Sequence, residues 1–175
     1  LDPALLAGSG EASAPLAFAL QADGTGGAAR VQGTLARGDL HATLQPSRIT
    51  LHDQVLDVQP LVLDAFGGRT TVRGCADLRD RAAGQAGRTG LRFAVNARGL
   101  RWGGVADAPE VRADADFGIA GTPAAWSAIG TARLQRAQQR ASLRFDGRGD
   151  GHGIAIRALQ ARMPGGTLDA HGRVD

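Results

Sequence analysis

The chain has 175 residues, with 20 basic and 17 acidic side chains and 26 glycines. Every basic side chain is arginine, which holds the isoelectric point near 10.7 although the net charge is only +3; arginines and acids are interspersed, with neither a basic block nor interleaved aromatics, and this excludes a nucleic-acid-binding surface. Glycine at this density opposes helix, at about 1 kcal/mol per residue against alanine, aromatics at 4% supply few large rings for a core, and no apolar run approaches the roughly 18 residues of a membrane span.

The chain starts at Leu1 with neither an initiator methionine nor a signal sequence. It reads as one segment, 1–175, of a longer repetitive protein, with any targeting or anchoring segment expected outside it. Residues 1–12, including Gly8-Ser9-Gly10, read as a loose terminus. Beyond them the apolar residues alternate, the period of a half-buried strand. Leu16, Phe18 and Leu20 lead, then Val31, Gly33 and Leu35, then Leu40, Ala42 and Leu44. Ile49 with Leu51, Leu56 with Val58, and Leu61, Leu63 and Ala65 come next as separate runs. Residues 80–90 form an Arg/Ala/Gly loop without periodicity. Leu91, Phe93, Val95 and Ala97 resume the alternation, and Val111 to Ile119 make the longest clean run.

Thr122-Pro123 has the form of a helix start. Gly130, however, interrupts the alanine- and glutamine-rich segment from Ala124 to Ala141, and the spacing Trp126, Ile129, Leu134 is irregular, so strands are expected there. Ala141, Leu143 and Phe145, then Ile154, Ile156 and Ala158, then Leu168 and Ala170 complete about a dozen strands of roughly five to eight residues. Gly147 to Gly153 (G-R-G-D-G-H-G) reads as a hairpin turn: no helix succeeds it to make a phosphate loop, and it is a single degenerate copy of a calcium-binding repeat.

One pattern occurs three times: leucine, five residues, Gly-Gly, five residues, glycine. It runs from Leu20 through Gly26-Gly27 to Gly33, from Leu61 through Gly67-Gly68 to Gly74, and from Leu159 through Gly165-Gly166 to Gly172. A glycine pair between alternating segments signals a primed hairpin turn, and its recurrence at unequal intervals signals a repetitive all-β array.

Catalytic chemistry has no foothold. His41, His52, His152 and His171 fall in separate segments at polar positions, without metal-ligand spacing. No nucleophile turn occurs, the carboxylates are scattered, and Cys75 in an alternating segment reads as a small half-buried residue. No cofactor, metal or catalytic residue is expected, and the chain reads as non-enzymatic.

Strands with one apolar face must cover it. A sandwich or barrel would do so. The architecture expected here is instead a long, curled, antiparallel-rich sheet, an open trough about 60 Å long with an aliphatic concave face. Its candidate lining is Phe18, Leu20, Leu44, Leu51, Leu61, Leu63, Phe93, Val95, Phe117, Ile119, Leu143, Phe145 and Ile156. Such a wall offers few polar groups to orient a small ligand and suits acyl chains, whose burial is worth about 0.8 kcal/mol per methylene.

The closing stretch carries a resemblance. Ile156, Leu159, Ala161, Gly165-Gly166, Gly172 and Val174 match the rhythm I-x-x-L-x-A-x-x-x-G-G-x-x-x-x-x-G-x-V, and Leu61-Val62-Leu63-Asp64-Ala65-Phe66-Gly67-Gly68 is similar. This resembles the repeat of the TamB family of Gram-negative envelope proteins, related to AsmA-like and bridge-type lipid-transfer proteins. The resemblance implies a periplasmic β-trough in a bridge anchored in the inner membrane. It implies phospholipid acyl chains as cargo, outer-membrane protein assembly as a further role, and the outer-membrane barrel TamA as a partner of the full-length protein. Membrane contact would come only through segments outside this one. A scaffold whose sheet edge pairs with strands of outer-membrane proteins is the alternative reading.

Overall fold

The computed structural model describes residues 17–38, 40–79, 90–103, 110–122, 124–150 and 153–174. Among them are eleven strands and no helix: β1 (Ala17–Thr25), β2 (Ala28–Arg37), β3 (Leu40–His52), β4 (Val55–Ala65), β5 (Gly68–Asp77), β6 (Leu91–Trp102), β7 (Val111–Thr122), β8 (Ala125–Arg136), β9 (Gln139–Asp150), β10 (Ile154–Met163) and β11 (Gly166–Val174). They form one antiparallel sheet in chain order, and β1 and β11 do not pair, so the sheet is open. The expected loose terminus, Leu16, most of the 80–90 loop, and His152 lie outside the described residues. Thr122 ends β7, Pro123 lies outside the described residues, and the segment after it is strand rather than helix, as β8 and the start of β9 joined by a two-residue turn.

The strands are longer than the alternation suggested, at nine to thirteen residues. The difference has a physical cause. In β3 the apolar positions change parity, from Leu40, Ala42 and Leu44 to Ser47, Ile49 and Leu51, which in sequence marks a break. In the structure it is a bulge: Leu44 faces Gly33 and Ser47 faces Val31, so β3 carries one extra residue. A second bulge in β4 lies between Val58, opposite Gly74, and Leu61, opposite Val72. The two sit side by side, because Leu44–Leu63 and Arg48–Gln59 keep register across them. Pro46 and Pro60 occupy these segments, where a residue without an N–H breaks no regular ladder. Further register shifts in β6 and β10 add to the bends that let a sheet curl.

Ser47 closes the double bulge. It is only 2% exposed, the one buried polar residue among those described. Its hydroxyl donates to the Gln45 carbonyl at 2.7 Å and accepts from the Val62 N–H at 3.2 Å. The amide that the bulges remove from the ladder is thereby satisfied, as a buried N–H must be.

The glycine pairs mark three hairpins, but not identically. Gly26 and Gly27 form the whole two-residue loop between β1 and β2, with φ of 60° and 81°. In the second copy the loop is Phe66-Gly67, and in the third it is Pro164-Gly165, so the second glycine of each pair begins a strand. Phe66 itself takes φ 53°, and the β3–β4 turn, Asp53-Gln54, has φ of 46° and 62° with no glycine. Such hairpins carry no glycine signal.

Gly147 to Gly153 departs from expectation. Gly147 to Asp150 are strand β9, and the Asp150 carboxylate accepts from the Gly153 N–H at 3.0 Å. The two strand glycines serve aromatic packing. A Cβ on Gly149 would stand 2.2 Å from Cε2 and Cζ2 of Trp126, its cross-strand partner, and one on Gly147 would stand 2.4 Å from the Phe145 Cζ. Each ring occupies the space a side chain at the glycine would need, which is how few aromatics cover much backbone.

Two predictions test this packing. Ser47→Ala strands the Val62 N–H and is expected to cost about 1–3 kcal/mol in urea unfolding, with the Val62 amide exchanging faster; unchanged stability would contradict the bulge closure. Gly149→Ala, in a Trp102→Phe background, is expected to cost about 1–3 kcal/mol by overpacking and to red-shift Trp126 emission. An unmoved emission maximum would show that the ring does not lie on the glycine.

Candidate functional site: the apolar face

Directly paired residues of an antiparallel sheet point to the same side, so the register assigns every side chain to one of two faces. Phe18 pairs with Leu35 and Leu20 with Gly33; Leu44 pairs with Leu63 and Leu51 with Leu56. Leu61 pairs with Val72, Phe93 with Ile119, and Val95 with Phe117. Leu143 pairs with Ala132 and Phe145 with Gly130, and Ile156 pairs with Gly147. Traced strand to strand, these pairs place every proposed lining residue on one face. Leu44 and Leu51 share it only because of the bulge between them.

Several members of this face were not among the proposed lining. Leu56, Val58 and Val72 belong to it through β4 and β5, Leu100 through the shift in β6, and Trp126 and Leu134 through β8. The irregular spacing around Trp126 now has a reason: Ile129 pairs with Gly118 and Asp146 on the opposite face, where it is 62% exposed. The alanines between the large apolar side chains, among them Ala76, Ala97, Ala113 and Ala128, are buried, whereas Ala94, Ala120 and Ala125 on the other side are exposed. Every substantial contact between strands is between sheet neighbours, so among the described residues no second layer covers the apolar face. Phe18 and Leu20 on β1 are 75% and 66% exposed.

The opposite face is polar and holds hollows that the residue pattern does not reveal. One of about 1100 Å³ spans β5 to β10, floored by Ala94, Gly118 and Ala158 and walled by Arg73, Asp116, Arg144 and Asp146. A second, of about 490 Å³, lies toward the β8–β9 turn. Ion pairs cross this face. The Arg69 Nε donates to Asp64 at 2.7 Å, and Arg98 donates to both oxygens of Asp116 at 2.8 Å. These hydrogen bonds hold both carboxyls below their usual range. Pairs this exposed add little stability.

His41, His52 and His171 are exposed, and Cys75 is half-buried on the polar face between Asp57 and Arg92. No group of three metal-ligating side chains occurs among the described residues. No protein-family model, curated protein or solved structure matches the chain.

Among the described residues Asp77 is the most strongly shifted acid. Hydrogen bonds from the Arg79 guanidinium (Nε to Oδ1 at 2.8 Å) and its backbone N–H (3.1 Å) lower its pKa from 3.8 to about 2. A carboxyl depressed on folding stabilises the fold above its unfolded pKa and loses that contribution as pH falls through the folded value. The contribution of Asp77 is therefore full above about pH 4 and lost toward about pH 2. Carboxyl NMR titration is expected to show this midpoint in the native chain and a return toward 3.8 in Arg79→Gln; a native midpoint near 4 would show the pair is not formed in solution.

Proposed function

We propose that this chain is a non-enzymatic segment of a TamB-like, AsmA-related bridge that shields lipid acyl chains on its apolar face. The observation that carries the reading is the continuity of that face: each of the eleven strands contributes large apolar side chains to the same side of an open sheet, with Val55, Val62 and Ile129 as exceptions on the other. A face left uncovered along roughly 50 Å of sheet is too large an apolar area for a monomer to expose without a partner. Acyl chains fit it because it is aliphatic, with alanine and glycine between leucine, isoleucine, valine and phenylalanine. Its polar members are few, Thr70 within the sheet and Arg37, Arg136 and Gln139 at strand ends, so little on it would arrest a sliding ligand, which suits transport better than tight capture.

On this reading the parent protein sits in the periplasm, anchored in the inner membrane and meeting the barrel TamA in the outer membrane. It delivers phospholipid outward, contributes to outer-membrane protein assembly, or does both. The open outer edges of β1 and β11 favour one second reading. Those strands would pair with strands of outer-membrane proteins by β-augmentation, which uses backbone rather than side chains.

Photo-crosslinking in cells separates the two. A photoreactive residue replaces Phe93 on the apolar face or, separately, Ala94 on the polar face. Phospholipid adducts at 93 and not at 94 are expected. Protein adducts confined to β1 or β11 positions, with no lipid at 93, would replace the conduit by the edge-pairing scaffold.

A further inference from the structure

The smaller hollow on the polar face is lined by four arginines. Ser142 on β9 stands directly opposite Arg133 on β8 and Arg162 on β10. Arg140 lies two residues before Ser142 on the same side of β9, and Arg112 closes the hollow from β7. Neighbouring strands lie about 4.8 Å apart, so Arg133 and Arg162 flank the Ser142 hydroxyl at a distance their long side chains readily span.

Two acids adjoin this group: Asp114 lines the hollow directly opposite Arg133, and Glu110 lies beside Arg112, so the four arginines outnumber the nearby carboxylates by two to one. The Asp114 carboxylate accepts from the Gly99 N–H at 2.8 Å, and Glu110 pairs with Arg112 at 2.8 Å. Among the described residues Arg133, Arg140 and Arg162 make no ion pair. Like charges gathered on adjacent strands oppose the sheet, and an anion between them reverses the sign of that interaction. Guanidinium forks match carboxylate and phosphate alike. Three forks and a hydroxyl around one point, however, offer more donors than the two oxygens of a carboxylate can accept, and suit a tetrahedral group.

We propose that this hollow binds a phosphate group. The lipid reading is not required for it, because the arginines face away from the apolar side. Two sources share the chemistry: a soluble phosphate or phosphomonoester, and the head group of an anionic phospholipid at a membrane surface.

Two arms test it on the chain as it stands, with Arg133→Gln/Arg162→Gln as the site variant and Arg92→Gln as a control on the same face; all three arginines are exposed. In the first arm, arginine Nε–H NMR signals are monitored during titration with inorganic phosphate at constant ionic strength. A saturable shift of the Arg133, Arg140 and Arg162 signals in the native chain, with the affinity read at Arg140 weakened at least tenfold in the site variant and unaltered in the control, is expected and identifies a soluble source. In the second arm, cosedimentation is measured with phosphatidylcholine vesicles containing phosphatidylglycerol. Sedimentation that needs the two arginines, without saturation by free phosphate, supports the site and identifies the head group. Responses no greater than those to chloride in both arms, or responses equal in the site variant, would overturn the proposal.

Discussion

Everything in this sheet depends on keeping the period-two alternation in phase across eleven strands. A slip of one residue in any strand would turn its leucines to the polar side and its arginines to the apolar side. The chain contains such slips, and each is absorbed by a bulge. In β3 and β4 the slips fall side by side, so Leu44 stays opposite Leu63 and Ile49 opposite Val58. The local cost is an amide out of the ladder, and Ser47 covers it with its hydroxyl. One buried serine thus connects backbone geometry to the integrity of a face that runs the width of the sheet.

The same constraint explains which parts are legible in sequence. Where alternation runs unbroken, as from Val111 to Ile119, the strand and its facing side chains can be read directly from the residues. Where parity changes, as between Leu44 and Ser47, the same rule sees two short strands, because an extra residue and a loop are indistinguishable without the partner strand. Ile129 misleads in the opposite sense, being a large apolar residue on the polar face. Turns such as Asp53-Gln54 lack the glycine signal because both left-handed positions are filled by other residues. Gly147 and Gly149 look like a loop because their role, clearing space for Phe145 and Trp126, depends on rings placed by the fold. The polar-face hollows are unreadable for a related reason: Arg112, Arg133, Arg140 and Arg162 are spread over four strands, and only register makes them neighbours.

The two faces ask for different partners. The apolar face offers area without direction, and its free energy scales with methylenes buried rather than with any oriented contact. That favours a chain-like, interchangeable ligand and low selectivity. The polar face offers directed donors on a rigid strand framework, which favours a compact anion. A sheet open at both edges, with no second layer over its apolar face among the described residues, is the geometry on which the proposed surface for passage rests.

The central claim is that acyl chains occupy the apolar face, and Trp126 is a native reporter on it. In a Trp102→Phe background, quenching of Trp126 by phospholipid brominated along its acyl chains would be compared with quenching in Trp126→Phe/Ser127→Trp, which moves the indole to the polar face. The account predicts strong quenching at 126 and little at 127. Equal quenching at both positions, or none at either while the fold is intact, would contradict it.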